Sequence, residues 1–287
     1  MEAPTALPDA TRRPWPARLV IGAVLFAALL LMGLGAAWIA PHDPLAQDLV
    51  NRMRPPVFLE GGNWAHLLGT DAVGRDTLSR LIFGVRTSLV VSVVAMLLAA
   101  LIGASLGIAA GYFGGRVDAA IMFLVTTRLA MPVALVALAV VALHGPSLRN
   151  LTLVLGFLMW DRFAVVLRNA TALVRSMDYI TAIRAVGASD LQILLREVLP
   201  NLLPVLIVVA TFEMASLVLL ESTFSFLGMG VEAPTPSWGL MIAEGREHLL
   251  FRPWIVAIPG CAIALFMLAI NLLGDGLRDL VAPETRL

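Results

Sequence analysis

The chain has 287 residues, 59% of them hydrophobic and 14% charged, against roughly 25% charged in soluble domains, so it is read as an integral membrane protein. Its formal charge is zero, which leaves no electrostatic footprint for nucleic acid. All twenty basic residues are arginine; without a lysine to reach the β- and γ-phosphates the chain cannot carry a P-loop, and if ATP drives it, another chain must bind the ATP.

Residues 1–17 are polar and proline-rich, with Arg12, Arg13 and Arg18 ahead of the first apolar run. The expectation is a cytoplasmic tail followed by a first transmembrane helix over 18–40. A secretory signal also begins with basic residues, but this run is too long for a signal core and Ala40-Pro41 is a poor cleavage context; a twin-arginine signal at Arg12-Arg13 is the alternative. Segment 41–87 is expected outside. Within it Leu78, Leu81, Ile82 and Val85 fall at helical spacing between Asp76 and Arg86, which predicts an amphipathic helix lying in the outer interface with its arginines among the headgroups.

Five further apolar runs follow: Ser88–Ala110, Asp118–Leu143, Arg149–Arg168, Leu202–Glu221 and Trp254–Gly274. Each is long enough to cross about 30 Å of hydrocarbon at about 1.5 Å per residue. They are continuous rather than alternating, which excludes a β-barrel. The predicted fold class is all-α: a polytopic membrane helix bundle with six transmembrane helices and both termini cytoplasmic. Orientation rests on the positive-inside rule. Arg175, Arg184 and Arg196 in the connector 169–200 join the three arginines of the tail on one side, while Arg52, Arg54, Arg75, Arg80 and Arg86 weigh on the other.

The connector carries a further signal. Asp178-Tyr179-Ile180-Thr181-Ala182-Ile183-Arg184-Ala185 is helix-forming, Gly187 sits where a C-cap glycine belongs, and a second helical stretch, Leu191–Leu199, leads to Pro200 at the next membrane entry. Ala182, Ala185 and Ala188 would let another surface approach closely; the alternative is a structured loop with no partner. Loop 222–253 is rich in glycine, proline and aromatics and reads as ordered, with Pro236, Ser237 and Trp238 as candidate contacts for an outside partner or as a plug on the helix ends; Trp238 and Trp254 could equally be interface anchors. Arg128, Asp161 and Glu213 are the ionisable side chains deepest in the spans, with Glu221 nearer an end. An arginine at mid-bilayer costs at least about 2.5–3.5 kcal/mol, so Arg128 is expected to meet Asp161 or Glu213, or else to line a pathway. Cys261 stands alone, and His42, His66, His144 and His248 show no ligand spacing. The sequence therefore predicts no catalytic residue and no metal site.

Several longer motifs resemble one family. Ala182…Gly187…Leu199-Pro200 looks like the cytoplasmic loop of ABC importer permeases. Gly69-Thr70-Asp71-Ala72-Val73-Gly74-Arg75-Asp76 with Ser79-Arg80, Phe224-Ser225-Phe226-Leu227-Gly228-Met229-Gly230 with Pro234-Thr235-Pro236-Ser237-Trp238-Gly239, and Asn271-Leu272-Leu273-Gly274-Asp275-Gly276-Leu277-Arg278-Asp279 resemble the peptide/nickel permease family, second-subunit branch. The sequence departs from that family at Thr181 and Ile183 in the usual Glu-Ala-Ala, at Phe123 and Thr126, and at Asp161. The resemblance implies a non-catalytic permease subunit, multi-pass in a bacterial inner membrane and in contact with lipid, whose core is residues 88–287. It implies coupling helices at about 176–199, with Asp178, Tyr179, Thr181, Ala182, Arg184, Ala185, Gly187 and Ala188 facing an ATPase. It also implies a second homologous permease, two ABC ATPase subunits that hold ATP and Mg, an extracytoplasmic binding protein facing loop 222–253, and a cargo of di- or oligopeptides or, alternatively, nickel or a metal chelate. An intramembrane enzyme would need a convergent constellation at one depth, and a passive channel would conduct without nucleotide; these are the two rival classes.

Overall fold

The computed structural model describes residues 16–281; the expected tail, with Arg12 and Arg13, lies outside them except at Pro16 and Ala17. The described chain is almost wholly helical. Only two isolated bridges, Asn63 with His66 and Thr70 with Asp76, show strand-like pairing. In hydrocarbon every backbone polar group must be satisfied within its own segment, and continuous apolar runs can do that only as helices.

The helices are α1 (Ala17–Leu34), α2 (Ala36–Ile39), α3 (Thr77–Phe113), α4 (Gly115–Leu129), α5 (Val133–His144), α6 (Leu148–Leu158), α7 (Asp161–Arg175), α8 (Asp178–Ala185), α9 (Asp190–Ile193), α10 (Leu199–Phe226), α11 (Trp238–Gly245) and α12 (Trp254–Val281). Five stretches are long and apolar enough to cross a membrane, and α4 and α5 pass the same test only together, as a bent pair.

Four elements differ from the sequence expectation. The interfacial helix is not separate: Asp76 caps α3 by accepting from Ser79 N at 2.8 Å, and the helix runs unbroken from Thr77 through the second span. At 37 residues it is about 55 Å long, more than the hydrocarbon needs. Arg80, placed among headgroups by its spacing, is instead buried (1% exposed). The third apolar run is not one straight helix, α4 and α5 meeting at 76° across Ala130-Met131-Pro132; Pro132 has no N–H to continue the ladder and disfavours helical backbone at the residue before it. The fourth pauses at Met159-Trp160 between α6 and α7 and then continues to Arg175. The stretch expected at Leu191–Leu199 begins at Asp190 and joins α10 without a break through a π-helical turn at Leu194–Val198, giving one 37-residue helix, Asp190–Phe226.

Packing is set by small residues. Along α3, a Cβ on Gly103, Gly107 or Gly111 would come within 2.2–2.4 Å of the Trp160, Ala164 and Arg168 carbonyl oxygens of α7. These three glycines, four apart, let the two backbones touch, as small residues do at membrane helix interfaces. Gly22 and Gly276 do the same between α1 and α12. Three apolar clusters follow one another down the bundle. Leu29, Val85, Trp238 and Phe266 lie at the α11 end, Leu151, Phe163 and Leu217 in the middle, and Tyr112, Leu167, Ile180 and Leu202 at the α8 end.

Candidate functional site

At the α8 end, the turn between α8 and α9 is fully specified by local chemistry. Gly187 has φ +95°; its N–H donates to Arg184 O at 3.0 Å and the Ala188 N–H to Ile183 O at 3.3 Å. This pair of bonds is a Schellman motif, which wants glycine in the left-handed position. A Cβ on Gly187 would meet nothing within 4 Å, so the requirement is conformational rather than steric. Ser189 then caps α9 in a capping box with Gln192.

Ile180, fully buried, pins α8 to the bundle, while Asp178, Tyr179, Thr181, Ala182, Arg184, Ala185 and Gly187 are exposed and Ala188 is half-buried. Val186 is 89% exposed. The outward face thus mixes small and apolar side chains (Ala182, Ala185, Val186) with polar and charged ones (Asp178, Thr181, Arg184), and stays exposed among the described residues. Tyr112, in the last turn of α3, spans both short helices: its hydroxyl accepts from Arg184 Nη2 at 3.1 Å and donates to Asp190 Oδ1 at 2.6 Å. The bond to the Tyr112 hydroxyl, with Asp190 nearby, holds the Arg184 pKa above its ordinary value. These residues with Arg175 and Ser189 line an open cleft of about 450 Å³. Arg168 on α7 grips Asp118 on α4 through two of its guanidinium nitrogens, Nε to Oδ1 and Nη2 to Oδ2, the latter at 2.5 Å. Sequence reasoning passed over Tyr112, Asp118 and Arg168. Their only signal was polar chemistry at the helix ends next to the connector.

In the middle, the polar side chains collect where α6 breaks into α7. Arg128 Nε lies 3.4 Å from Asp161 Oδ1, and Arg128 Nη2 is 3.4 Å from Met159 Sδ. Glu213, 1% exposed, is not Arg128's direct partner; it accepts from Arg162 Nη1 at 2.9 Å. Arg162, which the sequence reading did not single out, is 59% exposed on the flank of the bundle. Two arginines and two carboxylates therefore form a neutral group, with Asp161 in the first turn of α7 where the helix dipole favours a negative charge. Glu221 lies apart, fully buried, and accepts from Ser88 Oγ at 3.0 Å, Ser222 Oγ at 3.3 Å and Ser225 Oγ at 2.8 Å. It ties α3 to α10.

At the α11 end, Pro236, Ser237 and Trp238 pack inward, as the plug on the helix ends that the sequence offered beside a partner contact. All three are buried. Ser237 caps α11, the Pro236 carbonyl accepts from Thr87 Oγ1 at 2.8 Å, and Trp238 Nε1 donates to Leu81 O at 3.0 Å with its ring 5.6 Å from that of Phe266. Gly84 leaves the space that the indole fills. Beside this plug is a buried charge network that the sequence did not reveal. Asp71 accepts from Arg75 Nε at 2.6 Å and Arg80 Nη1 at 2.5 Å, and Glu244 accepts from Arg75 Nη2 at 2.9 Å and Arg80 Nη1 at 2.7 Å. Burial works against the Arg75 charge, but the two carboxylates outweigh it and its pKa is raised. The network borders a cavity of about 330 Å³. Residues 164 and more apart, Arg80 and Glu244, meet here, which no spacing rule reads.

The chain is similar to known proteins both in sequence and in fold. The family described as binding-protein-dependent transport system inner membrane component matches residues 103–287. The Pseudomonas aeruginosa di/tripeptide transport system permease protein DppC is 40% identical over 93% of this chain and 88% of its own. The Escherichia coli K12 dipeptide transport system permease protein DppC is 42% identical over 93% and 89%. Among solved structures, a chain of the MetNI methionine ABC transporter in an inward facing conformation superposes with a TM-score of 0.56, at 19% identity, over 72% of this chain and 96% of that one; at that identity the likeness concerns the fold.

Proposed function

We propose a working cycle from the premise that this chain belongs to the binding-protein-dependent transport system inner membrane component family and is a multi-pass permease subunit of a bacterial ABC importer. Its cargo is a di- or tripeptide, as the names of the Pseudomonas aeruginosa and Escherichia coli relatives suggest. It pairs with a second, homologous permease, two ABC ATPase subunits that hold ATP and Mg, and an extracytoplasmic binding protein. The α8 end is cytoplasmic, and so are both termini.

The observation that carries this reading is the exposed face of α8, with Thr181, Ala182, Ala185 and Val186 outward and Ile180 holding the helix to the core. An ATPase that closes on ATP pushes this face. Motion passes through the Gly187 turn into α9 and on into α10, because these form one helix with the fifth span, and through Tyr112 into α3. Rigid-body rocking of spans then alternates access. Arg162, with Arg128, Asp161 and Glu213 behind it, faces the pathway or the second permease, since a half-exposed guanidinium within a span needs water or protein around it.

The test uses the complete complex in proteoliposomes. ATP-dependent uptake of a labelled dipeptide, together with a cross-link from Ala185→Cys in a Cys261→Ser background to an ATPase subunit, is expected. Uptake of nickel in place of peptide would replace the cargo assignment, and absence of the cross-link in every nucleotide state would overturn the coupling assignment.

A further inference from the structure

We propose that His42, His66 and Asp76 form a binding site for a divalent transition-metal ion of the Zn2+ type at the α11 end. The three ligand atoms lie within 4.8 Å of one another, although the histidines are far apart in sequence and show no ligand spacing there.

Geometry carries the proposal. Ligands about 2.0–2.1 Å from a tetrahedral ion stand about 3.3 Å from each other. His66 Nδ1 is 2.9 Å from Asp76 Oδ1 and His42 Nδ1 is 3.8 Å from Asp76 Oδ2, which bracket that spacing. A hydrogen bond alone accounts for His66. It does not account for His42, whose Nδ1 is turned toward the same carboxylate at a distance too long for a hydrogen bond. The two rings lie side by side, centroids 4.8 Å apart and tilted by 35°.

The support around the ligands has the form that metal sites need. Asp76 is 2% exposed and its Oδ2 accepts from Ser79 N at 2.8 Å and Ser79 Oγ at 2.7 Å. The same Ser79 Oγ accepts from His42 N at 3.0 Å, so the carboxylate and the loop bearing His42 are held by one serine of α3. Such outer hydrogen bonds fix a ligand's direction. Two imidazoles and one carboxylate suit Zn2+ or a neighbouring ion; Ca2+ and Mg2+ would want oxygen ligands throughout. With three protein ligands a fourth position stays open to water or to a ligand from outside, on the side where His42 is 39% exposed. The ion would clamp segment 41–76 to the start of α3.

The assembled complex, purified without a polyhistidine tag and stripped with chelator, should bind one Zn2+ per copy of this chain in calorimetric titration, and Co2+ in its place should give the visible absorption of a four-coordinate site. His42→Ala keeps the backbone bond to Ser79 and is expected to assemble. It should bind Zn2+ at least about tenfold more weakly, since losing even an outer-shell partner costs about 10–100-fold. His66→Gln should do the same, whereas His248→Ala and replacement of Zn2+ by Ca2+ serve as controls, the first binding normally and the second giving no binding. Equal Zn2+ affinity in wild type and both ligand variants, or no Zn2+ binding by wild type, overturns the proposal.

Discussion

Arg80 and Arg184 stand at opposite ends of the bundle. Arg80 is 1% exposed and shares Nη1 between Asp71 and Glu244. Arg184 is about half exposed, bonds a tyrosine hydroxyl, and lies 3.7 Å from a carboxylate that is itself exposed. The first is a desolvated charge whose partners must stay in place, because breaking such a group strands a buried ion. The second is a solvated contact that can open and close at small cost. The α11 end is thus fixed from within, by charge pairing, the Trp238 plug and hydroxyls around Glu221. The α8 end leaves its outer face bare for something else to hold. The proposed drive at the α8 end would need this asymmetry.

The sharpest way to break the contrast is at its rigid end. Arg80→Met removes a buried charge and leaves Asp71 and Glu244 short of a partner, and a loss of about 3–5 kcal/mol is expected. It should appear as poor recovery and a lower melting point in detergent; a variant as stable as wild type would mean that the network is not what fixes this end. At the bare end a smaller effect with a different signature is expected. Gly187→Val forces a β-branched residue to φ +95°, at a cost of about 1–2 kcal/mol. The complex should assemble while ATP hydrolysis ceases to track uptake. Gly187→Asn, which tolerates the left-handed region, should recover most of the coupling, and normal coupling in the valine variant would remove the turn from the mechanism. Smallest of all is Tyr112→Phe, which loses two hydrogen bonds to half-exposed partners, each at the low end of about 0.5 kcal/mol because water replaces them. Melting should move little, but the ratio of peptide taken up to ATP hydrolysed should fall; an unchanged ratio would leave α10 as the sole route of transmission.

What was legible in the sequence was what repeats locally. Apolar runs identified the spans, and Gly187 its turn, because helix length and left-handed backbone are properties of a few neighbouring residues. Where two signals overlapped, the wrong one was read. Leu78 to Val85 show the spacing of an amphipathic helix, but that stripe faces protein because α11 and its loop fold back over it, and nothing near residue 80 announces Glu244. Pro236, Ser237 and Trp238 read equally as a contact surface or as a plug, and only Gly84, which makes a slot for the indole inside the bundle, shows which of the two this ring's packing follows. Arg162 is masked in the sequence by its neighbour: Asp161 lies at the depth of Arg128 and pairs with it, whereas the adjacent Arg162 points to a different side of the helix and meets Glu213. The His42–His66 pair depends on the path of a loop between them, which composition does not encode.

The π turn at Leu194–Val198 has a consequence for how this helix can change over generations. On the bundle side of the connector the buried positions are Ile193, Val198 and Leu202. The first interval is five residues and the second four, so the wide turn takes up one residue more than a regular helix would between the same two inward faces. In an unbroken α-helix an inserted residue would swing everything beyond it by about 100°, turning α9 away from α8 and Tyr112 or the span away from the bundle. Here that rotation is absorbed within five residues. This turn is therefore the place where a lineage could lose a single codon, tighten the helix to regular winding, and still present the same sides of α9 and α10 to their neighbours.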